Sequence, residues 1–472
     1  MDKKTVILIV LSLILLLGFS VRFYNIGSES IWTDEGYSLY FSSMSVEEMV
    51  DNLKYDNHPP LYYLLLKAWT TAFGDSETSI RFLSLIFSVI TIFLVYRIGE
   101  EIYSKKTGLY ASFLISIAVF HVKYAQEARS YTLFAMLAAV SFLYFFRLKK
   151  DVNKKNIVLY LLSSIFLLYT HTYSLFLLLV QNIVMFLQRK DLKKWLGLQT
   201  VLGVLYLPYI FVLVKQTLKT MSGSSWMKTP GLEQIYYNFF LQAGNYNMLI
   251  TFLLLLGFFI TIRYFANKDG KKKFLWDDLT LWLWWLLPVI IALIVSYTLH
   301  PVFQVKYFLP ASIALYLLVG KAITSMKPRW IRAGLLILII VFSFNILPWF
   351  YNHPYKEDWR SATQYIDSMM DEEDRVLFYP GFTEYMTYDY YSEENTTTYM
   401  VTYLTRELNH DDIVRMSPMF GEYEQILLVE SNALHSQELI DAIENVYGTP
   451  YLEEFRGINI YVFTWNETEK NI

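Results

Sequence analysis

Cysteine is absent from the 472-residue chain, which excludes disulfides, thiolate metal sites and cysteine nucleophiles. A protein held by lipid and helix packing needs no disulfides in any compartment, so the absence is silent on redox environment. Charge is scarce as well. Asp, Glu, Lys and Arg make up 18% of the residues, below the quarter or so usual for a soluble domain. No long basic stretch accompanies the net charge of −3, so nothing would release counterions from a nucleic acid, and none is expected as a partner. Repeats of solenoid period are missing too. Apolar surface takes the place of all these: 54% of residues are hydrophobic, 18% aromatic, and mean hydropathy is +0.31.

That apolar content is arranged in runs, and a bilayer crossing needs about 20 mostly apolar residues. Runs fall near 5–21, 79–98, 108–123, 130–147, 156–171, 173–188, 195–214, 247–265, 279–298, 306–322 and 332–349. About eleven transmembrane helices are therefore expected, in a polytopic α-helical membrane protein. The first run follows Lys3 and Lys4 as a signal peptide would. No small-x-small cleavage site comes after it, and Arg22–Tyr24 is a poor substitute, so it reads as a retained span. Lys and Arg concentrate in 147–155, 189–194, 263–273 and 321–332, on the side shared with Lys3, Lys4, Lys105 and Lys106. Cationic loops stay cytoplasmic. The expected location is the cell membrane, with the N-terminus inside and the C-terminus outside.

Two segments are not spans. Residues 22–78 form a long first outer loop. In it Ser45-Val46-Glu47-Glu48 reads as a capping box, and Val46, Met49, Val50 and Leu53 share one helical face. After Pro59-Pro60, the run Leu61–Phe73 is too short to span. Two interfacial helices are predicted here. Residues 350–472 form a tail of domain size, apart from the transmembrane module 1–349. It is predicted to contain a helix over 358–370, strands at 375–379, 425–430 and 458–463, and a helix over 436–446. Such alternation suggests a small α/β domain.

Polar residues gather in the outer loops. Trp32-Thr33-Asp34-Glu35-Gly36-Tyr37 places paired carboxylates at the edge of hydrocarbon, where charge is costly and functional by default. Group transfer to a hydroxyl needs such a carboxylate to take the proton from the acceptor. On their own the two carboxylates read first as a solvated helix cap, and Glu35 as either orienting Asp34 or facing water. Further clusters are Tyr55-Asp56-Asn57-His58-Pro59-Pro60-Leu61-Tyr62-Tyr63, Tyr124-Ala125-Gln126-Glu127-Ala128-Arg129-Ser130-Tyr131, Tyr169-Thr170-His171-Thr172-Tyr173, and His300–Pro310 with Lys306-Tyr307. In the predicted topology all five face the outer side. A pocket of carboxylates, imidazoles and cations at one leaflet suits a substrate with an anionic head and a lipid tail.

These stretches, with Lys356-Glu357-Asp358-Trp359-Arg360 opening the tail, resemble the GT-C superfamily of polytopic glycosyltransferases. The likeness is to the branch of protein O-mannosyltransferases and lipid A aminoarabinose transferases. The resemblance implies a polyprenyl- or dolichyl-phosphate-linked sugar, transferred with inversion to a protein, glycan or lipid acceptor. It assigns Asp34 as catalytic base with Glu35 beside it, and Arg129 to the lipid phosphate. His58 stands where some members carry a cation, and Lys306 where arginine is common. Tyr62, Glu127, His171 and Tyr307 are expected to line the pocket. Asn57 replaces a carboxylate common in aminoarabinose transferases, so a divalent metal is not indicated.

Plainer readings compete. Arg129 could partner Glu127 or Glu35, His171 could be an interfacial anchor, and Asn395 and Asn466 open triplets that match the glycosylation sequon by chance. A transporter or flippase of a lipid-phosphate-linked sugar would also be polytopic. Such proteins place polar groups at the midplane of inverted halves, whereas these cluster at one face. The tail is expected to shape acceptor recognition, because the clustered charges precede residue 350.

Overall fold

The computed structural model describes residues 2–52, 58–221, 227–268, 276–371, 373–379, 381–392, 398–400, 420, 423–431 and 435–465. In chain order its helices begin with α1 (Lys3–Phe23), α2 (Thr33–Ser43), α3 (Val46–Asn52), α4 (Leu61–Phe73) and α5 (Glu77–Ile102). Next come α6 (Lys105–Ser116), α7 (Val119–Ala125), α8 (Tyr131–Lys150), α9 (Lys154–Leu168) and α10 (Ser174–Gln188). Then follow α11 (Leu192–Met221), α12 (Leu232–Ala243), α13 (Tyr246–Lys268) and α14 (Trp276–Thr298). A 3-10 turn, Val305–Phe308, leads into α15 (Leu309–Ser325) and α16 (Arg329–Asn352), followed by α17 (Trp359–Met369), α18 (Phe382–Tyr391) and α19 (Gln437–Tyr447). The chain divides into two compact units: Met1–Ile26 with Ser45–His353, and Gly27–Met44 with Pro354–Ile472.

The first unit is the membrane body of a multi-pass integral membrane protein. Among the described residues, eight helices are long and apolar enough to cross a bilayer, or nine if α6 and α7 count as one span bent by 61°. The expected eleven included 156–171 and 173–188. These correspond to α9 and α10, helices of 15 residues each. At 1.5 Å per residue each reaches only about 22 Å, short of the roughly 30 Å hydrocarbon core. The amphipathic α12 was not among the predicted elements.

Local chemistry sets the helix starts. Asp2 Oδ1 accepts the Thr5 N–H at 2.6 Å, and Ser76, Ser104 and Asn153 cap α5, α6 and α9 in the same way. The capping box before α3 forms as predicted: Ser45 N–H donates to Glu48 Oε2 at 2.9 Å, and Glu48 N–H to Ser45 Oγ at 3.2 Å. Of the apolar face predicted for α3, Met49 is buried, Val46 and Val50 are exposed, and Leu53 lies outside the described residues. The second predicted interfacial helix, 61–73, is α4.

The break between α6 and α7 has an identifiable cause. Arg22, wholly buried, sends its guanidinium into the C-terminus of α6. Nη1 donates to Ser116 O at 2.7 Å and Gly18 O at 2.9 Å, Nη2 to Ile115 O at 3.0 Å, and Nε to Ser88 Oγ at 2.7 Å. Carbonyls freed where a helix stops need donors, and a cation suits the negative end of the helix. The residue that made a poor cleavage site is thus a structural anchor. Close backbone approach does the rest: a methyl at Gly99 would lie 2.6 Å from Gly108 Cα, so α5 and α6 cross where only glycine fits. Almost every residue of α15 is buried.

The second unit is a small α/β domain. Its sheet has the order β2-β1-β3-β5-β4, with β1 (Arg375–Tyr379), β2 (Thr398–Met400), β3 (Gln425–Ser431), β4 (Tyr451–Phe455) and β5 (Ile458–Thr464). Strand β1 runs parallel to β2 and β3, whereas β5 is antiparallel to β3 and β4. All five elements predicted in the tail are present, with Asp358 and Ser436 capping α17 and α19. The helix α18 and the strands β2 and β4 are additions. Strand residues Val376, Phe378, Leu427, Val429 and Ile460 pack on Trp359, Ala362 and Ile366 of α17. The opposite face meets Leu439, Ile440 and Ile443 of α19.

Candidate functional site

Four of the predicted clusters come together in the first unit. The Leu61 N–H at the start of α4 donates to the Tyr169 carbonyl at 3.0 Å, which ties the His58 segment to the α9–α10 turn. The His58 and His171 rings then lie 5.9 Å apart. His171 stacks on Phe134 of α8 at 4.7 Å and meets Tyr307 edge-on at 4.6 Å. Tyr307 in turn lies 5.0 Å from Tyr173 and 6.2 Å from Tyr131. Two cations flank that last ring: Arg129 at 6.0 Å and Lys306 at 5.5 Å from its centroid. Arg129, Lys306 and His58 all act electrostatically on His171. Four loops separated by up to 250 residues therefore build one cation-aromatic cluster.

The backbone around Arg129 is held firmly. Gln126 Nε2 donates to the carbonyls of Arg22 and Tyr24 at 3.0 and 2.7 Å, fixing the loop to the end of α1. The Arg129 N–H donates to Glu127 O at 2.8 Å, and the Arg129 carbonyl accepts from Ser84 Oγ at 3.5 Å. Tyr62 Oη lies 3.4 Å from the same Ser84 hydroxyl. Arg129 is 5% exposed and Glu127 1%, while His58, Lys306 and Tyr307 are half-buried. Helix α8 starts directly after this loop, and the side chain of its cap residue, Ser130, accepts none of the first N–H groups. A guanidinium beside an uncapped helix start is a ready anion site.

The remaining cluster, with both carboxylates, belongs to the second unit. Helix α2 starts at Thr33, whose N–H and hydroxyl are both held by Glu357 Oε2. Burial pushes the Glu357 carboxyl upward, against the hydrogen bonds it accepts from Thr33 and Trp359. Ile31 N–H donates to Tyr391 Oη at 2.6 Å. A methyl at Gly36 would sit 2.4 Å from Thr387 Oγ1, so α2 and α18 touch backbone to side chain there. Asp34 is half-buried in the first turn of α2.

Glu35 does not face water. It is fully buried, and Lys356 Nζ lies 3.2 Å from each of its carboxylate oxygens. Lys356 is a candidate-site residue that the sequence reading did not single out, although its motif stands there. Opposite charge at positions 321 residues apart is no signal in a single sequence. The pair also shows that charged groups and tail are not separate matters, since the tail supplies the partner of Glu35.

Asn57 lies outside the described residues, as do Asn395 and Asn466. No group of three or more His, Asp or Glu that could hold a metal occurs among the described residues.

Residues 57–196 match the family model described as dolichyl-phosphate-mannose-protein mannosyltransferase. No curated protein sequence matches the chain. Among solved structures, apo ArnT from Cupriavidus metallidurans superposes with a TM-score of 0.68 at 11% identity, over 96% of this chain and 97% of that one. The same protein bound to undecaprenyl phosphate gives 0.66 at 10%, over 98% of each chain. The apo oligosaccharyltransferase from Archaeoglobus fulgidus gives 0.60 at 12%, over 100% of this chain and 75% of that one.

Proposed function

We propose that this chain, whose fold is ArnT-like and whose residues 57–196 match the mannosyltransferase family model, is a glycosyltransferase of the polyprenyl-phosphate-sugar class that carries out an inverting sugar transfer at the outer face of the cell membrane. The donor is a sugar on a polyprenyl phosphate, and the acceptor is a hydroxyl on a protein, glycan or lipid. The observation that carries the reading is the cation-aromatic cluster of Arg129, Lys306, His58, His171 and Tyr307, joined from four loops. That the related ArnT binds undecaprenyl phosphate supports the choice of donor.

In the reaction the acceptor oxygen attacks the anomeric carbon while the bond from that carbon to the phosphate oxygen breaks. Asp34 takes the acceptor proton. The polyprenyl phosphate leaves as a monoester, whose growing charge Arg129 and Lys306 stabilise, with His58 beside them. Arginine suits this anion because its planar fork binds two phosphate oxygens. Glu35, paired with Lys356, positions the first turn of α2 that carries Asp34. The decisive experiment incubates purified protein with labelled undecaprenyl-phosphate and dolichyl-phosphate mannose and glucose plus a membrane extract as acceptor. Release of polyprenyl phosphate with label in a new product is expected; movement of intact donor across vesicles without release would mean a transporter.

Replacing Arg129 with Ala should weaken donor binding by a factor of about 10 to 100, the loss of a charge-assisted bond. Arg129→Lys should recover part. Titration with undecaprenyl phosphate checks this, and unchanged affinity in Arg129→Ala returns the residue to a structural role.

The proposed topology has eleven crossings, with α6–α7 as one bent span and α9 and α10 as short ones, an inside N-terminus and an outside C-terminal unit. Basic loops on one side motivate it. The natural chain has no cysteine background. In intact cells an impermeant thiol reagent should label Glu438→Cys and not Lys154→Cys, both exposed positions. The reverse pattern would overturn the orientation.

A further inference from the structure

The far ends of α8 and α10, away from the cation-aromatic cluster, meet the start of α11. Arg189 and Asp191 both adopt left-handed backbone, with φ of 53° and 50°, and turn the chain from α10 into α11. Lys190 Nζ then donates to the Lys149 carbonyl at 3.2 Å. Lys149, Lys190 and Lys194 line one cleft between the three helices. The two loops that meet here, 147–155 and 189–194, carry nine Lys and Arg against two Asp. Carboxylates answer only part of this charge. Asp277 of α14 lies 2.8 Å from Lys149 Nζ, and Asp191, itself in the cleft, lies 3.6 Å from Lys194 Nζ. Glu101 takes Arg147 and Lys150.

Gln188 lines the same cleft, and its buried Nε2 has no hydrogen-bond partner among the described residues. Native proteins satisfy nearly all buried polar groups. No acidic residue stands in the first turn of α11, whose positive end adds to the lysines. A buried amide donor among ammonium groups at a helix start suits an anion. The rest of the lining selects a lipid over a dissolved ion. Leu148, Met185 and Leu198 share the cleft, and Phe186, Leu187 and Leu196 beside it are exposed. Its volume is about 20 Å³, room for one phosphate oxygen and not for a whole soluble ligand. Helix α10, at 15 residues, stops short of a full crossing, so a headgroup can dip toward it. Basic pockets between transmembrane helices take such headgroups. We propose that Lys149, Gln188, Lys190 and Lys194 form a site for the phosphate of an anionic phospholipid. The 20 residues of α8 place about 30 Å between this site and Arg129, so its phosphate is not the donor's. In the proposed topology the lipid belongs to the cytoplasmic leaflet.

The test titrates the purified full chain in detergent with phosphatidylglycerol, with phosphatidylcholine of the same acyl chains, and with inorganic phosphate. Native mass spectrometry counts the bound molecules, and Tm is followed alongside. The parent should retain phosphatidylglycerol in preference to phosphatidylcholine and gain Tm with it. Lys190→Ala and Lys194→Ala, both at exposed positions, should each weaken phosphatidylglycerol binding about 5-fold, and together about 30-fold. Gln188→Leu should weaken it about 10-fold, with the lipid-free Tm unchanged. Lys327→Ala combined with Arg329→Ala, exposed cations of another loop, should leave binding as it was. Equal retention of the two phospholipids by the parent overturns the site. So does unchanged affinity in Gln188→Leu and the double lysine variant, or an equal loss in the 327 and 329 pair, which would mean diffuse surface charge. Inorganic phosphate raising Tm as much as phosphatidylglycerol would overturn the lipid and assign the cleft to a dissolved anion.

Discussion

Asp34→Asn should fold, bind donor and scarcely transfer. The amide keeps the size of the carboxylate and removes its ability to take a proton, so the rate should fall by about 100-fold or more, the range for deleting a general base. Folding should survive because this turn has supports besides Asp34. Thr33 is held by Glu357, and the Trp32 carbonyl accepts the N–H groups of Glu35 and Gly36 at 2.8 and 2.9 Å. Asp34→Glu should also be slow, because a further methylene moves the carboxylate off its position. Single-turnover transfer, measured beside undecaprenyl phosphate affinity, separates chemistry from binding. Turnover of Asp34→Asn within a few-fold of the parent would rule this residue out as base.

The second large effect belongs to Lys356. Lys356→Met leaves the Glu35 carboxylate buried beside an apolar chain, and removing one partner of a buried ion pair costs about 3–5 kcal/mol. The second unit should loosen and transfer should drop with it, although Lys356 touches no substrate in the proposed mechanism. Glu35→Gln should cost less, since the amide still accepts a hydrogen bond from the lysine. Combining Glu35→Leu with Lys356→Met should regain most of the lost stability, because neither charge of this pair is then left buried without the other. Protease susceptibility of the second unit reads this directly. A double variant no firmer than Lys356→Met would show that the pair is not the source of the stability.

Much of this architecture could be read from residue order. Apolar runs marked the long helices within a few residues, and β1 was placed at its observed bounds, 375–379, by its apolar content. Where local patterning was weak, reading failed. The α18 stretch, Phe382-Thr-Glu-Tyr-Met-Thr-Tyr-Asp-Tyr-Tyr391, alternates aromatic and polar residues with no clear helical face. Helix α12 carries Leu232, Ile235, Tyr236, Phe239 and Phe240 at helical spacing, but its 12 residues are too few to span a membrane and so it does not stand out among the long apolar runs. The clusters around Arg129, His171 and Lys306 were legible as polar islands in apolar surroundings, and their meeting followed from topology. The pairing of α2 with the tail was not legible. It depends on Gly36 against Thr387 and Glu35 against Lys356, contacts that no local pattern announces.

That pairing bears on how the protein is made. Residue 34 is synthesised soon after the first span, yet its supports wait for Lys356, Glu357, Thr387 and Tyr391, some 320 to 360 residues downstream. During synthesis the α2 segment has no partner, and closing so long a loop comes last. The chain is thereby born without a finished second unit and acquires one only after every membrane helix has been inserted. An interrupted polypeptide, however well it integrates, would carry Asp34 on an unsupported turn. If Asp34 is the base of the proposed transfer, activity then becomes a report on complete translation, and the chain is kept from acting while its own membrane body is still assembling.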